Sequence, residues 1–358
     1  MEDWRSRSLV LSDVVFFRYV PEGLEKSTDV VFVWDLDKTY LDTAIESLYE
    51  LIKTIVERAL NKKNVPGTNI LLQCLSSHWN QMHGHSHFPA YFITASPPQM
   101  ENRIYEKLTI DNIKPFGCFY KDNLRNLTPK RFWRLTKQVG YKIQALLQLR
   151  TRLKENVRQV CWGDDSESDA IIYNLYSDIC ARRLSVSDLR STLKSLFVTQ
   201  DQIDLIINLQ NQVPSSDPIE KIYINLATDT DPDYYLKFGR RTVPTYNTFQ
   251  VVIDMCQDQR IEFDGVLQVA QDMMDNYGFT PEELNRSFDE LIRRRILGQP
   301  FVEKAIAFFK EKGLFSHLYK PTIQPLPVKL EVDGKVYELE GQHEPWVPER
   351  IDYLHDYR

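Results

Sequence analysis

The chain has 358 residues, of which 42% are hydrophobic and 26% are charged, and its formal net charge is -6. This composition is typical of a soluble globular protein with a sizeable core, so a wholly disordered chain is excluded. The negative charge argues against bulk nucleic-acid binding, and no apolar run is long enough to form a transmembrane segment. Five scattered cysteines and no secretory signal predict reduced thiols in a cytoplasmic protein.

The clearest element signal is the apolar run Val30–Trp34, which is followed by Asp35 and Asp37. A short continuous apolar run predicts a strand that is buried on both faces. Open parallel sheets bind ligands at the carboxyl ends of their strands, and buried carboxylates are costly without a metal ion or a partner. The two aspartates are therefore candidate functional residues, and the alternative is an acidic turn after a core strand.

An amphipathic helix is predicted over residues 43–61, and a second apolar stretch leads to four histidines within residues 78–87. A zinc site would need regularly spaced ligands on a defined element, whereas a glycine and a serine interrupt this run. We therefore expect a surface loop with exposed imidazoles. Whether the loop contributes to a site stays open.

A second buried strand is predicted to end at Ile93, before Thr94, Ser96 and the pair Pro97-Pro98. Proline suits the first turn of a helix. If a helix begins there, Thr94 and Ser96 lie close to its N-terminus, where an anion is readily held. The alternative is ordinary capping at a strand end.

Residues 121–158 contain eleven lysines and arginines against two acidic residues. Such a run is ordinarily a solvated helix face, but in an acidic protein it could attract an anionic substrate or an anionic lipid surface. Within it, Lys142 falls in the first turn of a helical pattern, against the helix dipole. A residue that is placed against local preference often has another task.

A third buried strand, Gln159–Trp162, precedes Gly163, Asp164, Asp165 and Asp169. This is a second acidic loop at the end of a strand. Two such loops on different strands predict a site of oxygen ligands for a hard cation, which is how Mg²⁺ is held.

The fold class is predicted to be α/β, with a mostly parallel sheet, helices on both of its faces and a helical insertion at residues 174–217. A domain of residues 1–250 is expected to carry the site, and residues 251–358 to form a helical extension that ends in a β-hairpin. The helical pair in the insertion is not basic, so no nucleic-acid-binding module is predicted. Helix-capping motifs are predicted at Ser185, Thr199 and Thr280.

Four segments together carry a resemblance to a known family. They are Asp35-Leu36-Asp37-Lys38-Thr39, Thr94, Lys142, and Gly163-Asp164 with Asp169. In this order they resemble the four motifs of the haloacid dehalogenase (HAD-like) phosphohydrolase superfamily, over about residues 30–226. More weakly, the Thr-Ala-Ser-Pro segment, the Lys142 helix and the second acidic loop are similar to the actin-patch-associated phosphatidate phosphatase catalytic domain.

The resemblance implies a Rossmann-like (HAD-like) fold and a Mg²⁺-dependent hydrolase of phosphomonoesters. It implies that Asp35 attacks phosphorus to form an aspartyl-phosphate and that Asp37 is the general acid and base. Lys142 would balance charge, Thr94 and Ser96 would bind a phosphoryl oxygen, and Thr39 would hold the loop by hydrogen bonding. The implied metal ligands are Asp35, Asp37, Asp164, Asp165 and Asp169.

Neither gap between the motifs, 40–93 or 95–141, is long enough for a large independent cap. An uncapped site would admit a bulky phosphorylated substrate such as a lipid, protein or nucleotide phosphate. Two alternatives remain: a catalytically silent interaction protein that kept the fold, and a phosphotransferase to an acceptor other than water.

Overall fold

A computed structural model describes residues 4–37, 39, 64–84, 87–122, 138–165, 168–227, 229–323, 330–332, 335–337 and 345–353. Two features expected from the sequence lie outside these residues: the helix at 43–61 and residues 123–137 of the basic stretch. Among the described residues, no helix combines the length and apolar character needed to cross a bilayer.

The core of the fold is one sheet of eight strands. The strands are Leu9–Leu11 (β1), Val14–Arg18 (β2), Val30–Asp35 (β3), Phe88–Ile93 (β4), Pro115–Lys121 (β5), Arg158–Asp164 (β6), Ile219–Asn225 (β7) and Thr242–Thr245 (β8). Their order in the sheet is β1-β2-β5-β4-β3-β6-β7-β8. Four neighbouring strand pairs are parallel: β3 with β4, β3 with β6, β4 with β5, and β6 with β7. Strand β2 is antiparallel to both β1 and β5. The predicted α/β class with a mostly parallel sheet is therefore confirmed.

Ten α-helices lie in the described part of the chain, together with short 3-10 turns. The predicted caps are present: the Ser185 hydroxyl accepts from the backbone N–H of Asp188, and Thr199 and Thr280 each form a capping box. The helices are Thr68–His83 (α1), Glu101–Ile110 (α2), Val139–Arg150 (α3), Asp169–Ala181 (α4), Val186–Ser195 (α5), Gln200–Gln212 (α6), Thr248–Gln257 (α7), Phe263–Tyr277 (α8), Pro281–Arg293 (α9) and Gln299–Glu311 (α10).

Strands β3 and β4 are buried along their whole length, which explains their continuous apolar sequences. On one face of the sheet the indole rings of Trp34 and Trp162 stack with their centroids 3.8 Å apart and an interplanar angle of 8°. Tyr223 continues this stack at 5.2 Å from Trp162. Aromatic packing thus fixes the register of β3, β6 and β7 immediately below their carboxyl ends.

One expectation about local structure needs correction. The histidine-rich segment is not a loop as far as His83, because α1 runs through it until Gly84, at φ +68°, ends the helix. The imidazole of His83 stacks on Trp79 with centroids 3.6 Å apart. Asn174 lies within α4, which begins at Asp169 after a left-handed Ser168, and the bounds of the helical insertion stay a prediction.

The described residues form two compact units. The first lies within residues 1–63, 85–244 and 345–358, and it contains the sheet and α2–α6. The second lies within residues 64–84 and 245–344. It contains α1, α7–α10 and an antiparallel hairpin of Leu330–Val332 (β9) with Lys335–Tyr337 (β10), which confirms the predicted hairpin. The division at residue 250 into a catalytic domain and an extension stays a prediction.

Candidate active site

The acidic residue at the end of β3 lies at the centre of the candidate site. Asp35 is 1% exposed and is the last residue of a strand that has parallel neighbours on both sides. Asp164 is the last residue of the neighbouring β6 and is 3% exposed. The two acidic segments therefore meet at one edge of the sheet, where open α/β sheets bind ligands.

Lys142 connects these segments. Its side chain comes from the first turn of α3, a helix that is buried along its whole length, and is 1% exposed. The ammonium Nζ lies 3.0 Å from Oδ1 of Asp35 and 2.6 Å from Oδ1 of Asp169. A buried ammonium needs opposite charges close by, and these two carboxylates supply them.

Asp37 is held by the neighbouring strand. The Thr94 hydroxyl donates a hydrogen bond of 2.8 Å to Oδ2 of Asp37, and the backbone N–H of Ser96 donates to the same hydroxyl at 3.0 Å. Tyr141, the residue before Lys142, donates from its hydroxyl to the backbone carbonyl of Thr94 at 2.7 Å. This chain of hydrogen bonds fixes Thr94 and orients the carboxyl group of Asp37.

Gly163 allows α4 to begin directly above the end of β6. A Cβ atom at this glycine would lie 2.4 Å from both Cβ and Oδ2 of Asp169, closer than real Cβ contacts. The backbone N–H of Asp164 donates to Oδ2 of Asp169 at 3.2 Å. Asp169 therefore holds Lys142 with one oxygen and the end of β6 with the other.

Asp165 points to a different partner. Its Oδ2 accepts from the backbone N–H of Ala227 at 2.9 Å and from the Thr230 hydroxyl at 2.5 Å. These bonds tie the acidic loop to the segment that follows β7. Thr39 is buried, and among the described residues its hydroxyl has no hydrogen-bond partner, so its expected bond to the loop is not seen there.

The expected set of five Mg²⁺ ligands stays a prediction. Among the described residues, no group of three or more His, Cys, Asp or Glu side chains could hold a metal ion. Mg²⁺ is usually bound through one or two carboxylates and keeps several waters. Asp35 and Asp164, at the ends of adjacent strands, with the backbone carbonyl of Asp37, form a smaller set of oxygen donors that fits this ion.

Sequence reasoning missed two residues at this edge. Tyr141 was assigned only to a helical pattern, and Lys121, which is 1% exposed, was counted only as part of a basic stretch. Burial raises the pKa of Tyr141 well above its ordinary value, so its phenol stays a hydrogen-bond donor at neutral pH. Neither residue carries a local sequence signal, because their roles depend on which strands become neighbours.

Comparison with models of known protein families gives a match. Residues 30–191, just under half of the chain, match the model of the family described as phosphatidate phosphatase APP1, catalytic domain. No curated protein and no solved structure matches the chain. The family match identifies the chain as an enzyme, a hydrolase of phosphoric monoesters.

Proposed function

We propose that this hydrolase is a Mg²⁺-dependent phosphatidate phosphatase that works through an aspartyl-phosphate on Asp35. The observation that carries the mechanism is the buried contact of Lys142 with both Asp35 and Asp169 at the edge of the sheet. The substrate rests on the family match, whose description names phosphatidate. HAD-like membership, the metal dependence and the covalent step are part of the proposal.

In the first half-reaction the carboxylate of Asp35 attacks phosphorus, and the bond from phosphorus to the diacylglycerol oxygen breaks. Phosphomonoesters are strongly anionic, so their reaction depends chiefly on positioning and on neutralising charge. Lys142, 3.0 Å from Asp35, offsets the charge of the nucleophile and of the phosphoryl group as they approach. Asp169 keeps the ammonium in place for this role.

Asp37 serves both half-reactions. It is half-buried, and the Thr94 hydroxyl orients it through the bond to Oδ2. We assign it to protonate the leaving oxygen and then to take a proton from the water that attacks the aspartyl-phosphate. Splitting one difficult displacement into two easier ones is the usual advantage of a covalent intermediate.

Asp35, Asp164 and the backbone carbonyl of Asp37 would hold Mg²⁺. When bound, the ion would neutralise charge on the phosphoryl oxygens. Asp165 is assigned to hold the loop rather than to bind the ion, because its Oδ2 already accepts two hydrogen bonds.

The test is hydrolysis of phosphatidate in detergent micelles and of p-nitrophenyl phosphate, with Mg²⁺ and with EDTA. We expect Mg²⁺-dependent release of phosphate, and a loss of roughly a thousandfold or more in Asp35→Asn, because the nucleophile is removed. Asp275→Asn, a change at an exposed aspartate of α8, is the matched control and should keep full activity.

Two results would contradict the proposal. Equal rates for wild type and Asp35→Asn would exclude the covalent mechanism. Hydrolysis of p-nitrophenyl phosphate and glycerol 3-phosphate, but not of phosphatidate, would retain the phosphatase and exclude the lipid substrate.

A further inference from the structure

Lys121 is a buried cation at the sheet edge that the mechanism above does not use. It is the last residue of β5 and is 1% exposed, as Asp35 and Lys142 are. Lysine is almost never buried to this degree unless its ammonium group has partners.

The strand register places this side chain on the same face of the sheet as Asp35. Ile93 of β4 pairs with Asp35 on one side and with Phe119 on the other. Residues paired across neighbouring strands share a face, and Lys121 is two positions beyond Phe119, so it shares that face as well. Two strand spacings, roughly 10 Å, separate the strands of Asp35 and Lys121, and Lys121 lies about 7 Å further along its strand than the position level with Asp35. The combined reach of a lysine side chain and a bound phosphate can span this separation.

Both ammonium groups lie close to the first turn of α3. Nζ of Lys121 is 5.8 Å from the ring centroid of Tyr141, and the next residue, Lys142, reaches Asp35. Two hydrogen bonds join this region to the segment after β4. The hydroxyl of Tyr141 donates to the Thr94 carbonyl at 2.7 Å, and the backbone N–H of Lys121 donates to the Ser96 carbonyl at 3.2 Å. Lys121 thus adjoins the Thr94–Ser96 segment from the side opposite to Asp35.

We propose that Lys121 is a substrate-binding residue, a second cation that binds a phosphoryl oxygen beside the Thr94–Ser96 segment. The inference rests on the proposed function. It adds that two cations in the site would favour binding of a phosphomonoester that carries two negative charges. The simpler explanation is that Lys121 only stabilises the fold through the Tyr141 ring and the neighbouring buried Asp122. The two explanations differ in what happens to phosphate affinity when the charge is removed.

The test compares Lys121→Met, which loses the charge, with Lys121→Arg, which keeps it. Binding of inorganic phosphate is measured by titration calorimetry, and kcat and KM are measured with p-nitrophenyl phosphate. We expect Lys121→Met to weaken phosphate binding by roughly tenfold or more, because a charge-assisted hydrogen bond is lost. KM should rise by a similar factor with a smaller change in kcat, and Lys121→Arg should recover most of the affinity. Lys107→Met, at a lysine of α2 paired with Asp111, is the control for loss of a lysine elsewhere.

A folded Lys121→Met protein that binds phosphate within twofold of wild type would overturn the inference. Should that variant not fold, Lys121→Gln takes its place with the same two outcomes. The phosphate titration does not depend on turnover. Failure of Lys121 to bind phosphate is therefore distinguishable from failure of the proposed function, which would appear as an inactive wild type.

Discussion

Lys142 shows how one residue can conflict with local preference and still be well placed. An ammonium in the first turn of a helix opposes the helix dipole, and burial adds a further cost. The carboxylates of Asp35 and Asp169, at 3.0 and 2.6 Å, offset both costs. Removing one partner of a buried ion pair typically costs about 3–5 kcal/mol, so these three residues form one unit.

Gly163→Ala tests the importance of this three-residue unit without substituting any of its charged residues. The added Cβ would lie 2.4 Å from Asp169, so Asp169 and the ammonium that it holds must shift. We expect a loss of about 1–3 kcal/mol of stability, from overpacking, and of roughly 10- to 100-fold in kcat, from misplaced groups. Urea unfolding and p-nitrophenyl phosphate hydrolysis measure the two effects.

Gly265→Ala is the control. This glycine lies in α8, and its nearest contacts to an added Cβ are 3.3–3.5 Å, so activity should be unchanged. Full activity in Gly163→Ala would show that the close approach of Asp169 to the strand end is not needed for catalysis.

At the scale of elements, the sequence predicted the strands that are buried on both faces. β3, β4 and β6 are continuous apolar runs that end in polar residues, because helices cover both faces of a parallel sheet. The strand order was not predictable, since it depends on contacts between distant segments. Lys121 was therefore hidden within a basic stretch, although it ends a core strand. The bond between Asp165 and Thr230 was hidden for the same reason, because it joins residues 65 positions apart.

Helix starts were predictable because their signals are local. The capping box of α9 is a direct test: the Thr280 hydroxyl accepts from the backbone N–H of Glu283 at 3.3 Å, and the Glu283 carboxylate accepts from the Thr280 N–H at 2.8 Å. Thr280→Ala should lower the free energy of unfolding by about 1 kcal/mol, as measured by urea denaturation. Thr280→Ser keeps the hydroxyl and should stay near wild type. An alanine variant as stable as wild type would mean that the cap contributes nothing.

For the first unit as a whole, a partly buried network of charged side chains joins distant segments of the chain. Asp217, which precedes β7, contacts Arg183 and the fully buried Arg241, whose Nη1 lies 2.7 Å from Oδ2 of Asp217. Arg183 also pairs with Asp178, and Tyr353 of the C-terminal segment donates to the same carboxylate. The network therefore ties together α4, the segments that precede β7 and β8, and the segment that contains Tyr353.

This network predicts a pH-dependent stability. Burial alone would raise the pKa of Asp217, but the charges of Arg241 and Arg183 and their hydrogen bonds outweigh it and lower that pKa below its ordinary value. The folded carboxyl binds protons less readily than the unfolded one, so its stabilisation is complete above the unfolded pKa of about 4 and is lost as pH falls through the folded pKa.

We expect Asp217→Asn to destabilise the protein by about 3 kcal/mol near neutral pH, because the fully buried Arg241 loses a charged partner at 2.7 Å. The difference in urea unfolding free energy between wild type and variant should stay constant from about pH 7 to 5 and shrink below about pH 4. If wild type and Asp217→Asn differ in unfolding free energy by the same amount at low and at neutral pH, the destabilisation comes from packing rather than from charge.

The stack of Trp34 on Trp162 has an optical consequence. Two indoles with centroids 3.8 Å apart and nearly parallel rings couple electronically, so their absorption and fluorescence depend on the distance and angle between them. Trp34 immediately precedes Asp35, and Trp162 is two positions before Asp164. The chain therefore carries its own chromophore directly beneath the candidate catalytic carboxylates, and changes in the alignment of β3 and β6 can be followed spectroscopically without a label.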